Sequence, residues 1–278
     1  MIPTVITLSS IPPRFSALNK PLNSLLAQTL PATEIRLYIP RRYRRFPDWD
    51  GTLPDVPEGI TILRCETDYG PATKLLPALE DLAERDVHIL FCDDDKIYDH
   101  NWHQRFKDAA ARLPDTCIAE AGSSLPDVAD SSRASDRLPR GGQKPKTLWY
   151  RIKRALTLTL YKPHLYRNSG YIDQFSGYGG VLVKPNWLDD EVYNIPEIMW
   201  TVDDPWISGH LERNGIPVWL NGKGKQPGFA HSGRKHALRD LVVDGYGRVE
   251  ADLAVIEYMR ENYGIWSKNT AVEMRSRE

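Results

Sequence analysis

Cysteine is scarce in this chain: three residues, Cys65, Cys92 and Cys117, among 278. An odd number at wide spacing supports no disulfide framework, and the spacing fits no zinc site. At least two of the three sit in apolar, strand-like runs, so they are expected as reduced core thiols of a cytoplasmic protein. Long hydrophobic runs are missing as well. No window approaches the roughly 18 apolar residues of a membrane span. The opening stretch MIPTVITLSSIPPRF has neither a basic n-region nor a long apolar core, so no signal peptide is expected. An excess of one charge is absent too: 36 Lys and Arg against 37 Asp and Glu leave a net charge of −1. That removes any global pull toward nucleic acid or an anionic membrane, and attraction of either kind has to be local. There are no internal repeats.

What is present is a soluble globular composition, 41% hydrophobic and 26% charged, long enough for one large domain or two small ones. Short β-branched runs alternate with helical patterns. TVITL (4–8), EIRLYIP (34–40), ITILRC (60–65) and Val87 to Cys92 read as strands. LNKPLNSLLAQTL (18–30) places Leu18, Leu22, Leu25 and Leu26 at helical spacing, and Pro31 stops it. An amphipathic helix is predicted after DYGPATKLL. Strands alternating with helices imply βαβ units and a mainly parallel sheet, with the ligand site beyond the carboxyl ends of the strands. Residues 122–148 shift to Ser, Asp, Pro, Gly and Arg and predict a mobile loop that buries little. After it come GYGGVLVKP, a strand reached through glycines, then MWTVDDPWISGHLERNGIPVWL, a helix followed by a strand, and a last helix from about 249 to 262.

The strongest chemical signal is ILFCDDDKIY, in which a buried-looking strand ends on Asp93, Asp94 and Asp95. Hard divalent cations take one or two carboxylates together with substrate phosphates, and alternate residues of a strand end share a side. Asp93 and Asp95 can therefore face a nucleotide and a metal while Asp94 braces the loop; a helix cap or a solvated acidic turn would explain the run equally simply. Asp203 and Asp204, before Pro205 and a helix, offer a general base beside Trp206, or simple capping. Arg14 and Lys74 lie past strand ends, where cations can contact a diphosphate, and Asp68 can bond a base or ribose. His231 in GFAHSGRKH can ligate a metal or donate to a phosphate, or sit in a bland surface loop. The glycines of GYGG permit close approach of a ligand, or only a tight turn.

In order along the chain, VITLSSIPPRF, SLLAQTLPATEIRLYIP, DYGPATKL, ILFCDDDKIY, GYGGVLVKP and VDDPWISGHLERNG resemble the segments of the GT-A-fold glycosyltransferases, most closely the family 2-like bacterial enzymes that build surface polysaccharides. The resemblance implies a Rossmann-like, mainly parallel α/β sheet flanked by helices, with residues 1–121 as the nucleotide-sugar half and 149–278 as an acceptor-side half of the same domain. It implies transfer from a nucleoside diphosphate sugar, with UDP the expected carrier, to a hydroxyl of a glycan or lipid-linked acceptor. Asp93 and Asp95 would then be the DxD acids and Asp94 part of the donor site. Asp95 would be the direct ligand of Mn²⁺ or Mg²⁺, and His231 would match a C-terminal histidine on the metal or diphosphate. Asp204, or Asp203 because the motif reads VDD rather than ED, would be the base of an inverting transfer. Gly179, Gly180 and Trp206 would lie on the acceptor side.

No QxxRW motif is present, which argues against the processive cellulose-synthase-like branch. The position after the first strand reads SSIPPRF rather than a GxGxRxxP loop, which disfavours nucleotidyl transfer. A metal-dependent phosphoester hydrolase can use both acidic motifs together, whereas a non-catalytic glycan-binding domain of this fold has no need to keep them intact. The three aspartates are expected to repel one another and to be mobile when no cation or diphosphate is bound. Residues 146–162, with Trp149, Ile152, Leu156 and Leu160 on one face and Arg151, Lys153 and Arg154 elsewhere, can form an interfacial helix or a plain lid. A cytoplasmic protein with peripheral contact at the inner face of the membrane follows as the expectation.

Overall fold

Alternation of buried side chains dictates the architecture. In the strand His88–Phe91, Ile89 and Phe91 belong to one hydrophobic cluster and Leu90 to another, so both faces of the strand are covered by helices. The computed structural model describes residues 2–129, 131, 133–144, 165–230 and 247–268. Among them eight strands form one sheet: β1 (Thr4–Ser9), β2 (Glu34–Pro40), β3 (Thr61–Cys65), β4 (His88–Phe91), β5 (Cys117–Ala119), β6 (Gly170–Ile172), β7 (Val181–Val183) and β8 (Val218–Leu220). Their order is β6-β8-β5-β7-β4-β1-β2-β3.

β1 runs parallel to β2 and β4, β2 to β3, and β5 to β8. β7 runs against both neighbours, β4 and β5, and β6 runs against β8. The sheet is therefore mainly parallel and flanked by helices, as the alternating pattern predicts. Helices α1 (Asn19–Leu26) and α3 (Trp102–Arg112) cover one face through Leu22, Leu25, Trp102 and Phe106. Helices α2 (Leu76–Asp81), α4 (Asp204–Arg213) and α5 (Arg248–Tyr263) cover the other through Leu76, Leu79, Trp206, Leu211, Val255 and Met259. Each such fully buried side chain contributes roughly 1.5–3 kcal/mol of transfer free energy. After β3 the chain returns to the far side of β1, so strand order reverses between β1 and β4. A crevice at such a switch point is where open α/β sheets place their ligands.

Two sequence expectations need correction. The first helix ends at Leu26 rather than reaching 30, because the Gln28 side chain bonds the Asp99 carbonyl (2.9 Å) and the His103 amide (2.9 Å) and ties this turn to α3. The Ser- and Asp-rich segment also buries more than its composition suggests. Leu125 and Val128 join the core, and the buried Asp173 carboxylate accepts from Arg133, Arg140 and the Leu125 amide. The interfacial stretch 146–162 lies outside the described residues. No helix among the described residues is long and apolar enough to cross a membrane.

Candidate functional site

A cavity of about 340 Å³ opens at the carboxyl edge of the sheet, where β1 and β4 diverge. Ser9, Ser10 and Arg14 border it from the end of β1, and Asp93, Asp94 and Asp95 from the end of β4. Asp203, Asp204 and Arg248 close it from the second half of the chain. The apolar strand therefore ends on three carboxylates because its end is the wall of a cleft.

Each aspartate holds its own cation. Asp93 accepts from Lys74 Nζ at 2.8 Å, and although burial alone would raise its pKa, Lys74 brings it below the usual carboxylate range. Asp94 is buried and accepts from Ser10 Oγ (2.5 Å) and Arg14 (2.7 Å). Its pKa is raised, because burial outweighs the attraction of Arg14. Asp95 pairs with Lys96 and lies 3.8 Å from Arg14. The expectation of an unneutralised, repulsive triplet is thereby corrected: basic side chains from three segments pair with it. Among the described residues no three His, Cys, Asp or Glu side chains converge on one point.

Lys74 is the hinge of the site's electrostatics. It sits in the short helical turn Gly70–Lys74 and is only 5% exposed, with Nζ 2.8 Å from Asp93 and 2.9 Å from Asp203 Oδ2. The second contact is an ion pair without hydrogen-bond geometry, since Asp203 Oδ2 has no hydrogen-bond partner. Burial opposes the lysine's charge, yet the three nearby carboxylates hold its pKa well above the ordinary value. Asp203 precedes α4 without capping it by its side chain, which removes the capping explanation for this pair.

Asp204 begins α4, and its Oδ1 accepts the Gly177 amide at 2.8 Å while Oδ2 lies 3.8 Å from Arg248. Burial and the adjacent Asp203 push the Asp204 pKa up to about 7, with Lys74 pulling the other way. A Cβ at Gly177 would lie 2.7 Å from Lys74 Nζ and 3.0 Å from Asp204 Oδ1, so a side chain there would push the lysine tip off its carboxylates.

Part of the cavity wall is aromatic. Tyr43, Phe46 and Trp200 line it together with Arg45 and Asp68. Tyr43 Oη donates to the Ser10 carbonyl (2.6 Å), bracing the turn after β1. Asp68 accepts the Arg44 amide (2.9 Å) and the Gly70 amide (2.9 Å), and burial raises its pKa.

The structure thus brings Arg14, Asp68, Lys74, Asp93, Asp94, Asp95, Asp203 and Asp204 around one cleft. It places the other three sequence candidates that it describes elsewhere. Trp206 is buried in the core, its indole donating to the Val192 carbonyl (2.8 Å). The Gly179 carbonyl accepts the Trp102 indole (2.9 Å), and Gly180, at φ 92°, faces the same ring. Neither glycine lines the cavity. His231 lies outside the described residues. Sequence reasoning missed Lys96, Phe229 and Arg248, and for the first the lysine beside DDD was the signal at hand; within GYGG, read as a close approach or a tight turn, it is Tyr178 that lines the cavity and Gly177 whose amide holds Asp204. Glu120, at the end of β5, has a pKa raised by burial to about 7, but it pairs with Arg105 outside the cavity.

No protein-family model and no curated protein matches the sequence. Among solved structures, S. aureus TarS 1–349 is similar at TM-score 0.40 and 14% identity, over 82% of this chain and 59% of that one. A structure of S. aureus TarS matches at TM-score 0.46 and 14% identity, over 94% and 39%. S. aureus TarS 1–349 in complex with UDP matches at TM-score 0.42 and 12% identity, over 81% and 59%. The chain spans less than two thirds of each of these structures. At such values the chemistry has to be argued from the site itself.

Proposed function

We propose that the cleft binds a nucleoside diphosphate sugar and that the protein is a GT-A-type glycosyltransferase, transferring the sugar with inversion to an acceptor hydroxyl. The observation that carries this reading is the meeting, at the β1/β4 switch point, of an aromatic wall, a row of cations and two separate acidic motifs. The aromatic wall with Asp68 suits a nucleobase and ribose. Arg14 and Lys74 suit a diphosphate. UDP is the proposed carrier and a glycan the proposed acceptor.

Charge favours a divalent cation as part of the proposal. Asp68, Asp93, Asp94, Asp95, Asp203 and Asp204 line the cavity against Arg14, Arg45, Lys74, Lys96 and Arg248, a formal excess of one negative charge. An added diphosphate meets that excess unfavourably. Asp93 and Asp95 have the hard oxygen donors that Mn²⁺ or Mg²⁺ prefers, and Asp95 already carries a cationic partner, so the residues fit such an ion. Asp95 would hold it, with Asp93 beside it. When bound, the cation supplies electrostatic stabilisation of the departing diphosphate.

Asp204 is the better base of the adjacent pair. Asp203 pairs with Lys74 at 2.9 Å, whereas Asp204 has one oxygen fixed by the Gly177 amide and the other 3.8 Å from Arg248, beyond hydrogen-bond reach and able to take a proton. Its pKa of about 7 suits proton abstraction at neutral pH. The acceptor oxygen bonds the anomeric carbon as its proton passes to Asp204, and the bond to the diphosphate oxygen breaks with its electron pair leaving on the phosphate. Arg14 and Lys74 face that developing charge.

A thermal-shift panel of UDP, GDP, CDP and dTDP, each with and without Mn²⁺, on wild type and Asp95→Ala tests the reading. Ligand at about 100 times its dissociation constant adds roughly 2.7 kcal/mol, a rise of about 5–10 °C. One nucleotide shifting only the wild type, and only with Mn²⁺, is expected. No shift with any nucleotide overturns the proposal.

A further inference from the structure

The Lys96 ammonium lies between the Asp95 carboxylate, with which it pairs, and the Phe229 ring, whose centroid is 4.8 Å away. The side chain is 8% exposed, although it adjoins an open cleft. The backbone around it is held independently of that pair. Gly228–Phe229 pairs antiparallel with Lys96–Ile97, and the Ala230 amide donates to the Asp95 carbonyl at 2.9 Å. Asp95 is therefore positioned by main-chain bonds, and Lys96 contributes its charge. Phe229, 73% exposed, has its ring against a cation rather than in the core.

Resting on the reading above, we propose that Lys96 is a resident counter-ion of the metal position, neutralising Asp95 in the absence of metal and yielding it to Mn²⁺ or Mg²⁺ while its own ammonium remains on the Phe229 ring. Lys96 holds the Asp95 oxygen opposite the one facing Arg14, and a divalent ion at that carboxylate is repelled by the ammonium beside it, so metal entry favours its displacement. Metal alone then binds weakly. A nucleoside diphosphate adds phosphate oxygens to the ion and compensates for the lost pair, so metal and nucleotide strengthen one another's binding reciprocally. The device also keeps three adjacent carboxylates from repelling one another between turnovers.

The test is Mn²⁺ binding followed by calorimetry and by the paramagnetic signal of free Mn²⁺, with no sugar donor present. Wild type, Lys96→Met and Asp95→Asn are compared with and without UDP, and circular dichroism checks that each is folded. Lys96→Met keeps the stem and removes the charge. It is expected to bind Mn²⁺ at least about tenfold more tightly than wild type without UDP, the scale of a charge-assisted pair removed from competition. The advantage of adding UDP should shrink by a similar factor, and Asp95→Asn should bind no Mn²⁺. Equal Mn²⁺ affinity in wild type and Lys96→Met overturns the counter-ion role while leaving the metal site standing. Loss of UDP binding in Lys96→Met without any gain for Mn²⁺ overturns it too, because Lys96 would then replace the metal. Absence of Mn²⁺ binding in every protein, with or without UDP, overturns both this inference and the metal-dependent reading beneath it.

Discussion

Replacing Lys74 by methionine removes the buried charge that contacts both acidic motifs directly. Its ammonium lies 2.8 Å from Asp93 and 2.9 Å from Asp203. The two carboxylates do not suffer equally. The Asp93 side chain is 31% exposed and can rehydrate, whereas that of Asp203 is 6% exposed and cannot. The cost is therefore that of one broken buried pair, about 3 kcal/mol, rather than two. At about 2–4 °C per kcal/mol, the melting temperature should fall by roughly 6–12 °C near neutral pH.

The loss should depend on pH in a defined direction. A raised lysine pKa means that Lys74 stabilises the fold fully below the unfolded lysine value and loses that effect only as pH rises through the higher folded value. It is thus constant across the physiological range, and the change with pH comes from the carboxylates left behind. Burial already holds Asp204 up at about 7 against the pull of Lys74, so with that cation gone the folded variant binds a proton at Asp204 more tightly still than the unfolded chain does. Stability then falls as pH rises from about 4 through the raised folded value. Melts of both proteins, followed by circular dichroism, should show a deficit at about pH 8 that shrinks to less than half at about pH 5. An equal deficit at both pH values, or one under about 2 °C, refutes the argument.

Three further outcomes are expected. In wild type, kcat/KM for transfer should climb as pH rises through about 7, where Asp204 ionises, and Asp204→Asn should lose roughly 10²-fold in kcat together with that climb while still binding nucleotide; a flat wild-type profile moves the base elsewhere. Gly180→Ala places a Cβ 2.4 Å from the Trp102 ring at a φ of 92°, so it should lower stability by about 1–3 kcal/mol in denaturant titration and leave nucleotide affinity unchanged. Asp173→Ala leaves Arg133 and Arg140 without their shared carboxylate and should cost about 3–5 kcal/mol by the same titration, whereas a loss below about 1 kcal/mol would mean that the segment 122–144 is loosely held.

What was legible in the sequence was what is local. The Val87 to Cys92 run, the aspartates after it and the placing of Arg14 and Lys74 past strand ends all follow from periodicity and adjacency, and the structure puts them on one edge. The pairing of charges was not legible, because Lys74 meets Asp203 from 129 positions away and Arg14 meets Asp94 from 80. Gly179, Gly180 and Trp206 lie off the cavity for a related reason: neighbours of a polar motif read as site residues, and only the fold shows that the Trp102 ring fills the space beside the glycines. The 122–144 segment looked empty because its anchor, Asp173, comes from another part of the chain. Base choice within VDD was open in sequence and rests on which carboxylate Lys74 holds.

The reversed direction of β7 has a consequence for how such a protein changes over time. Because Val181 pairs with Phe91 at the end of β4, the residues that precede β7, not those that follow it, reach the cleft. Tyr178 thus arrives at the cleft on a connection anchored upstream, where Phe175 packs on Phe91 of β4 and Asp173 holds Arg133 and Arg140. Under the proposed function, changes at Tyr178 alter that side of the cleft without touching the aspartates of β4. Diversifying Tyr178, with the buried Phe175 and Gly177 held constant, accordingly tests whether this side of the cleft selects the proposed acceptor.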